Sequence, residues 1–174
     1  LANAIYSKHE IKNSITYGFN FINRNIININ IRWNNKDISI YNTHLEYFNN
    51  KSPILENKNI KLYPTDYQYE ALSKLLETDK TNNIILCGDF NINLFKMGTG
   101  ARYNNWNNKV KYLQKEFMNS SKMMFPTNFS QNEQTDFILI NKSSMIKPKF
   151  SNIVETNISD HYLVLSDFYL LNKN

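Results

Sequence analysis

Four separate segments of the sequence place residues of catalytic type at the end of a predicted strand. Carboxylates and imidazoles serve as general acids and bases, and carboxylates also bind hard cations. Strand ends in a layered α/β protein converge on one edge of a sheet, so we expect the four segments to meet there. A lone histidine at a strand end is more often structural, and the interpretation depends on all four segments together. In chain order the residues are His44, Asp89 with Asn91, Asp136, and Asp160 with His161.

The most informative segment is residues 84–91, which read Ile-Ile-Leu-Cys-Gly-Asp-Phe-Asn. Its apolar run predicts a buried strand that stops at a sheet edge. Alternation predicts that Asp89 and Asn91 lie on one side of this strand and Phe90 on the other. Gly88 leaves room for a close backbone approach. The alternative interpretation is an Asx-rich turn that closes a strand.

Length and composition are consistent with one domain that has its own core. The chain has 174 residues, a formal net charge of +5 and a pI near 9.1. This charge fits a polyanionic partner such as nucleic acid or a phosphorylated headgroup, although the lysines are scattered. The single cysteine, Cys87, reads as a small buried hydrophobe and cannot form an internal disulfide. The single cysteine and the lack of a visible leader favour an intracellular location and leave the compartment open. No apolar run is long enough to span a bilayer, and we expect a monomer.

Strand and helix patterns alternate along the chain, which predicts an α/β fold with a mixed sheet. The turn signal at residues 34–37 lies between two strands and predicts an antiparallel hairpin. Residues 48–64 and 93–108 are interpreted as loops, the second carrying Arg102, Tyr103 and Trp106. Helices are predicted at residues 110–118 and after Thr65–Asp66, the latter from Tyr69, Leu72, Leu75 and Leu76 at helical spacing. The predicted strands are residues 1–7, 27–33, 38–43, 84–91, 136–140, 151–156 and 161–169.

These motifs together resemble the endonuclease/exonuclease/phosphatase superfamily, the deoxyribonuclease-I-like metal phosphohydrolases. The motif order matches, and the likeness covers nearly the whole chain. It implies a four-layered α/β sandwich with two mixed sheets, of which residues 1–174 form a single, N-terminally incomplete domain corresponding to the C-terminal two-thirds. The resemblance is carried by Thr43-His44-Leu45, Gly88-Asp89-Phe90-Asn91, Thr127 ahead of Thr135-Asp136-Phe137-Ile138, and Ser159-Asp160-His161.

The resemblance implies a metal-assisted, in-line attack of water on a phosphoester. Mg²⁺, or Mn²⁺ in its place, and the histidines would stabilise charge on the phosphoryl oxygens. The resemblance implies that Asp160 is a metal ligand, that His161 contacts the phosphate and that Asp136 orients this histidine. It implies that Asp89 activates the water and that Asn91 donates to a phosphate oxygen. His44 would act on the phosphoryl oxygens or on the leaving group.

Two departures from the family pattern affect these expectations. The family takes a metal-binding Glu and an Asn from upstream of the position where Leu1 aligns, and Glu10 stands where Pro is common, so it is not that ligand. We therefore expect the chain to be a C-terminal portion with poor activity alone, because Mg²⁺ demands near-ideal geometry. Thr135 stands where many relatives carry Arg, which leaves the substrate class open.

The sequence defines the type of reaction better than it defines the substrate. His44 argues against the abasic-site endonuclease branch, which carries Tyr-Val-Pro-Asn at that strand end. Nucleases acting on DNA or RNA are favoured, because the basic balance and the aromatic loop at residues 93–108 suit phosphate contact and base stacking. Aromatics packed on the core are the alternative for that loop. A hydrolase of phosphorylated lipid headgroups, contacted through Tyr47-Phe48 and residues 48–64, and an inactive binding relative remain as alternatives.

Overall fold

The computed structural model describes residues 3–19, 24–47, 55–57, 60–62, 64–95, 110–121, 126–128 and 133–171. Its regular elements are mainly strands, with five strands before the helix α1, so the regular alternation that the sequence predicts is only partly present. A further helical segment at residues 110–116 runs directly into the seventh strand. The elements are β1 Ile11–Gly18, β2 Asn25–Trp33, β3 Lys36–His44, β4 Leu55–Asn57, β5 Ile60–Leu62, α1 Pro64–Thr78, β6 Ile84–Asp89, β7 Phe117–Asn119, β8 Asp136–Asn141, β9 Ile146–Val154 and β10 Leu163–Leu170.

Six of these strands form one mixed sheet in the order β1-β2-β3-β6-β8-β7. Strands β3 and β6 are parallel, and α1 lies in the connection between them, as a parallel crossover requires. The other neighbouring pairs are antiparallel. The predicted α/β class with a mixed sheet is therefore confirmed.

Both faces of the six-stranded sheet are covered by apolar packing. On one face Tyr69 and Leu72 of α1 belong to a buried cluster with Leu86 and Phe137. On the other face, strands β2, β3 and β8 pack against Ile146 and its neighbours from a two-stranded sheet formed by β9 and β10. The described residues thus form three layers of an α/β sandwich, with helix, large sheet and small sheet in that order.

The hairpin between β2 and β3 has a two-residue turn at Asn34 and Asn35. Both residues have positive φ, 46° and 59°. Such turns match the right-handed twist of the flanking strands, and asparagine tolerates this conformation well. The turn fixes the register in which Ile29 lies opposite Ile40 and Ile31 opposite Ile38, so the β2–β3 pair places these four isoleucines on one face of the sheet.

Gly88 lies where β6 approaches β3 most closely. Its φ is +136°, and a Cβ at this position would lie 1.8 Å from the carbonyl oxygen of Thr43. The close backbone approach expected from the sequence is therefore confirmed. Gly88 is needed at this point because a side chain would collide with the Thr43 carbonyl and because residues with a side chain rarely adopt a φ of +136°.

One strand prediction was wrong. Described residues 3–7 are not in a strand, and the first strand is instead Ile11–Gly18. The prediction failed because Ile5 packs on the isoleucine face of the sheet without pairing as a strand, so apolar residues here do not indicate a strand. Its neighbour Ala4 accepts a 2.9 Å hydrogen bond from the Asn42 side chain. Strand β1 is an edge strand with mostly exposed side chains, so its alternation carried little apolar signal.

Several boundaries also differ from the prediction. Residues 48–64, expected to be a loop, contain the short antiparallel pair β4–β5. The predicted helix at residues 110–118 ends at residue 116, and β7 follows. Helix α1 begins at Pro64, so Thr65 and Asp66 lie in its first turn. Strand β9 begins at Ile146, five residues before the predicted strand.

The outer face of the β9–β10 sheet is apolar and exposed. Alternation along the pair directs these side chains away from the large sheet. The exposed fractions are 53% for Phe150, 42% for Val154, 59% for Leu163, 46% for Leu165 and 46% for Tyr169. In the described part of the chain, no helix has the length and apolar character needed to cross a membrane.

Candidate active site

Three of the predicted site residues form a row across three neighbouring strands. His44 is the register partner of Asp89 in the parallel β3–β6 pair, and Asp89 is the partner of Asp136 in the antiparallel β6–β8 pair. Directly paired residues project on the same face of a sheet. The three side chains therefore lie side by side at one sheet edge, although they are 45 and 47 residues apart in sequence.

His161 joins this row from the loop that precedes β10. Its Nδ1 lies 2.7 Å from Oδ2 of Asp136, the shortest contact of a charged pair in the site. Its Nε2 lies 3.0 Å from Nδ2 of Asn128. Both ring nitrogens thus have a hydrogen-bonding partner, and the small sheet delivers His161 to the edge of the large one.

Thr127 anchors the backbone on both sides of this contact. Its hydroxyl oxygen accepts hydrogen bonds from the backbone N–H groups of Thr135, at 2.9 Å, and Asp136, at 3.0 Å. Its carbonyl accepts from the N–H of Tyr162 at 2.8 Å. Since Thr127 is fully buried, these bonds hold Asp136 and His161 at a fixed separation.

Asn91 lies beyond the end of β6 in a turn. The strand ends at Asp89, so the predicted alternation does not continue to Asn91, which has a positive φ of 55°. Its backbone N–H donates to Oδ1 of Asp89 at 2.7 Å, and its side-chain amide donates to the carbonyl of Leu45 at 2.7 Å. The Asx turn considered as an alternative is therefore present, and it ties Asn91 to the end of β3.

The electrostatic environment of Asp89 disfavours its charged form. Burial and the nearby carboxylate of Asp136 raise the pKa of Asp89 to about 6, against the opposing effect of the hydrogen bond from the Asn91 backbone. A carboxyl group with a pKa in this range can exchange protons near neutral pH. Such a perturbed group among other titratable side chains is typical of functional sites.

The two histidines have different environments. Burial lowers the pKa of His44, and the positive charge of Arg24 lowers it further. Its Nε2, 3.4 Å from Oδ2 of Asp89, therefore belongs to a neutral imidazole. For His161, burial lowers the pKa, but the hydrogen bond to Asp136 and the charges of Asp136 and Asp89 outweigh burial, so its pKa is raised.

The carboxylates of the site fit a hard divalent cation. Asp89, Asp136 and His161 can each offer a ligand atom within 4.8 Å of the others. Because both ring nitrogens of His161 already have partners, the oxygens of Asp89 and Asp136 are the donors left, and oxygen ligands suit Mg²⁺ or Mn²⁺. Asp160, the ligand implied by the resemblance, is not one of these three residues. It is exposed, and its charge helps to raise the pKa of His161.

Sequence reasoning missed one member of the site, Asn128. Thr127 had been singled out as part of a motif, whereas its neighbour lies in a segment interpreted only as a polar loop. The signal that could have found it is its position next to Thr127 and ahead of the Asp136 strand. The aromatic loop residues Arg102, Tyr103 and Trp106, and Phe48, lie outside the described residues.

The arrangement of helix, large sheet and small sheet is a fold known from other proteins. The chain has the fold of the endonuclease/exonuclease/phosphatase, or deoxyribonuclease-I-like, superfamily, and the resemblance drawn from the motifs is confirmed at the level of the fold. No protein-family model matches the chain, and no curated protein matches it in sequence.

The likeness to solved structures extends along almost the whole chain. An endonuclease/exonuclease/phosphatase family protein from Leptotrichia buccalis aligns with a TM-score of 0.62 and 19% identity, covering 93% of this chain and 63% of that one. TDP2 from D. rerio, complexed with a single-strand DNA product, aligns with a TM-score of 0.66 and 15% identity, covering 92% and 68%. Sphingomyelinase C from Streptomyces griseocarneus aligns with a TM-score of 0.55 and 12% identity, covering 92% and 65%. The chain thus spans slightly less than two thirds of the length of the Leptotrichia buccalis protein and of the sphingomyelinase, and slightly more than two thirds of TDP2.

Proposed function

We propose that this chain carries the active site of a metal-dependent phosphoester hydrolase, a phosphodiesterase or nuclease that acts on DNA or RNA. The observation that carries the proposal is the register row of His44, Asp89 and Asp136 with His161 hydrogen-bonded to Asp136 at 2.7 Å. Two imidazoles and two carboxylates within contact distance of one another form a set suited to phosphoryl transfer.

The chain's own residues divide the work according to their environments. Asp89, the register partner of both His44 and Asp136, orients the attacking water and takes its proton. His161, held by Asp136, places a positive charge against a phosphate oxygen, since its pKa is raised. Neutral His44 donates a hydrogen bond to the phosphoryl oxygens or to the leaving group. Asn91 supports this edge through its bond to the carbonyl of Leu45.

A divalent cation, Mg²⁺ or Mn²⁺, would neutralise the charge that develops on the phosphoryl oxygens. Asp160, as the resemblance implies, and the carboxylates of Asp89 and Asp136 are the residues that would hold it. The repulsion between Asp89 and Asp136 supports this assignment, because a cation between carboxylates removes the cost of keeping both charged.

Nucleic acid is the favoured substrate for two reasons. The net charge of +5 suits a polyanion, and one similar structure, TDP2, was solved with a single-strand DNA product. The likeness to a sphingomyelinase makes a phosphorylated lipid headgroup the second candidate.

Because we expect this chain to have poor activity alone, the test is a hydrolysis assay of the chain extended upstream to include the Glu and Asn that the resemblance implies. The substrates are single-stranded DNA, RNA, inositol phosphates and sphingomyelin vesicles, each with Mg²⁺ and with EDTA. We expect cleavage of DNA or RNA that needs the metal, with His161→Ala and Asp136→Asn lowering kcat/KM by at least about 100-fold. His9→Ala is the matched control, because His9 is exposed and outside the site, and it should leave the rate unchanged. Cleavage equal in all three variants would assign the activity to a contaminant and refute the proposal.

A further inference from the structure

Asn25, the first residue of β2, continues the row of site residues by one strand. The β2–β3 register sets Ile26 opposite Thr43, so the next pair along the two strands is Asn25 and His44. Residues paired in this way project on the same face of the sheet. The hydroxyl of Thr43 donates to the carbonyl of Asn25 at 3.5 Å, which is a further contact between these strand ends. The row therefore crosses β2, β3, β6 and β8, with Asn25 at the end away from Asp136.

The side-chain amide of Asn25 is held in one orientation by Asn3. Nδ2 of Asn3 lies 3.0 Å from the backbone carbonyl oxygen of Asn25 and 2.8 Å from its Oδ1. A backbone carbonyl only accepts, so the group that Asn3 presents here is its amino group. The same amino group needs an acceptor in the side chain of Asn25, which is Oδ1. The amino group of Asn25 is on the other side of its amide and therefore points away from Asn3.

The amino group of Asn25 is a hydrogen-bond donor that the fold itself does not use. Within the described part of the chain it has no hydrogen-bond partner, and Asn25 is partly exposed at the strand end. An amide nitrogen donates and does not accept, so it is not a ligand for a cation. It suits an oxygen atom that accepts, such as an ionised phosphate oxygen.

The place of Asn25 in the row decides which part of a substrate it can meet. Neighbouring strands are about 4.8 Å apart, so β2 lies about 10 Å from β6, the strand that carries Asp89. A single phosphoryl group bound at Asp89 and His161 does not span two strand spacings. An acceptor at Asn25 therefore belongs to the part of the substrate that flanks the phosphorus atom under attack, on the side of His44.

We propose that Asn25 is a specificity residue whose Nδ2 donates a hydrogen bond to the phosphate that flanks the scissile one, on the side of His44. The proposal rests on the proposed function for the class of substrate. It means that the chain selects a polynucleotide over an isolated phosphate group, because only the polynucleotide carries a second phosphate. Asn3 fixes the amide before the substrate arrives, so little side-chain freedom is lost on binding.

The test is nuclear magnetic resonance of the ¹⁵N-labelled, upstream-extended chain in EDTA, which keeps the substrate uncut. Tetrathymidylate and inorganic phosphate are the two probes. We expect the Nδ2 protons of Asn25 to shift with tetrathymidylate and not with phosphate, while the ring signals of His161 shift with both. Asn25→Asp keeps an acceptor for Asn3 and loses the donor. It should lower the affinity for tetrathymidylate, relative to that for phosphate, by at least about 10-fold.

Asn42→Asp is the matched control for the charge that Asn25→Asp adds. Asn42 lies on the same face of β3 two residues before His44, and its amide already donates to the carbonyl of Ala4. This variant should leave the ratio of the two affinities unchanged. An Asn25 amide that shifts with both probes, or an equal change of the ratio in the two variants, would overturn the proposal. If tetrathymidylate moves the His161 signals and leaves Asn25 unchanged, only this proposal fails. If neither probe moves His161, the proposed function fails with it.

Discussion

Asp89 and Asp136 are register partners on neighbouring antiparallel strands, so the sheet itself holds two carboxylates side by side. Their repulsion, together with burial, raises the pKa of Asp89 to about 6. A fold that keeps such a pair without a cation between them loses stability, which is typical of sites built for function. The predictions below test the energetic, ionic and steric consequences of this arrangement.

Asp89→Asn should stabilise the metal-free chain above pH 6. The pKa of Asp89 is about 6 in the folded state against an ordinary value of 3.8, so between these values the unfolded chain loses the proton first and stability falls as pH rises. The free energy of unfolding of the wild type should fall by about 3 kcal/mol as pH rises through this window, and that of Asp89→Asn should fall much less. Urea unfolding in EDTA at pH 3.5 and pH 8 measures it, with Asp167→Asn on the exposed face as control.

Mg²⁺ or Mn²⁺ should raise the melting temperature of the wild type. A cation that binds only the folded state adds about 2.7 kcal/mol at a concentration of 100 Kd. Asp89→Asn and Asp160→Asn should reduce the gain, because each removes a carboxylate from the site. Differential scanning fluorimetry with metal and after EDTA gives the comparison. Asp37→Asn, in an exposed pair with Arg32, should behave as wild type; an equal gain in all variants would argue for non-specific binding.

Gly88→Ala should destabilise the chain severely. The new Cβ would meet the Thr43 carbonyl oxygen at 1.8 Å, and the φ of +136° is unfavourable for any residue with a side chain. We expect a loss of more than about 3 kcal/mol, or failure to fold. Gly18→Ala is the matched control, since nothing lies within 4 Å of its Cβ position. Equal unfolding midpoints for the two variants would show that β3 and β6 do not approach in this way.

Cys87 should be unreactive in the folded chain. Burial raises the pKa of its thiol to about 12, and its sulfur donates to the carbonyl of Tyr41 at 3.3 Å. At pH 8 a thiol with this pKa supplies almost no thiolate for alkylation. Mass spectrometry after iodoacetamide should show no adduct until urea unfolds the chain. Rapid native labelling would mean that β6 opens at this point.

Leu163→Lys combined with Leu165→Lys should have little effect on stability and should remove any self-association that this apolar patch causes at high concentration. Both side chains are about half exposed on the outer face of β9–β10, where they form part of an apolar patch. Light scattering against concentration measures the association, and urea unfolding should change by no more than about 0.5 kcal/mol. Ile146→Ala, at a fully buried position between the sheets, should instead cost about 2–5 kcal/mol.

Much of this protein was determined by the sequence alone, because its signals are local. The alternating isoleucines fix β2, the Asn34–Asn35 turn fixes the hairpin, and the helical spacing of Tyr69 and Leu72 fixes α1. The apolar run before Gly88 fixes a strand, although its end at Asp89 comes before the predicted one at Asn91. Each of these depends on residues within one turn or one strand, where backbone sterics and side-chain periodicity act directly.

Tertiary structure decided what depends on pairing between distant segments. Strand β1 has exposed side chains, so only its backbone bonds to β2 define it. The Asn128 contact exists because the Asp136 strand and the His161 loop meet at Thr127, which no local pattern encodes. The raised pKa of Asp89 likewise depends on tertiary structure, because it arises from burial first and then from the carboxylate of Asp136, 47 residues away. The sequence therefore chose the chemical groups, and the sheet register set the distances on which their chemistry depends.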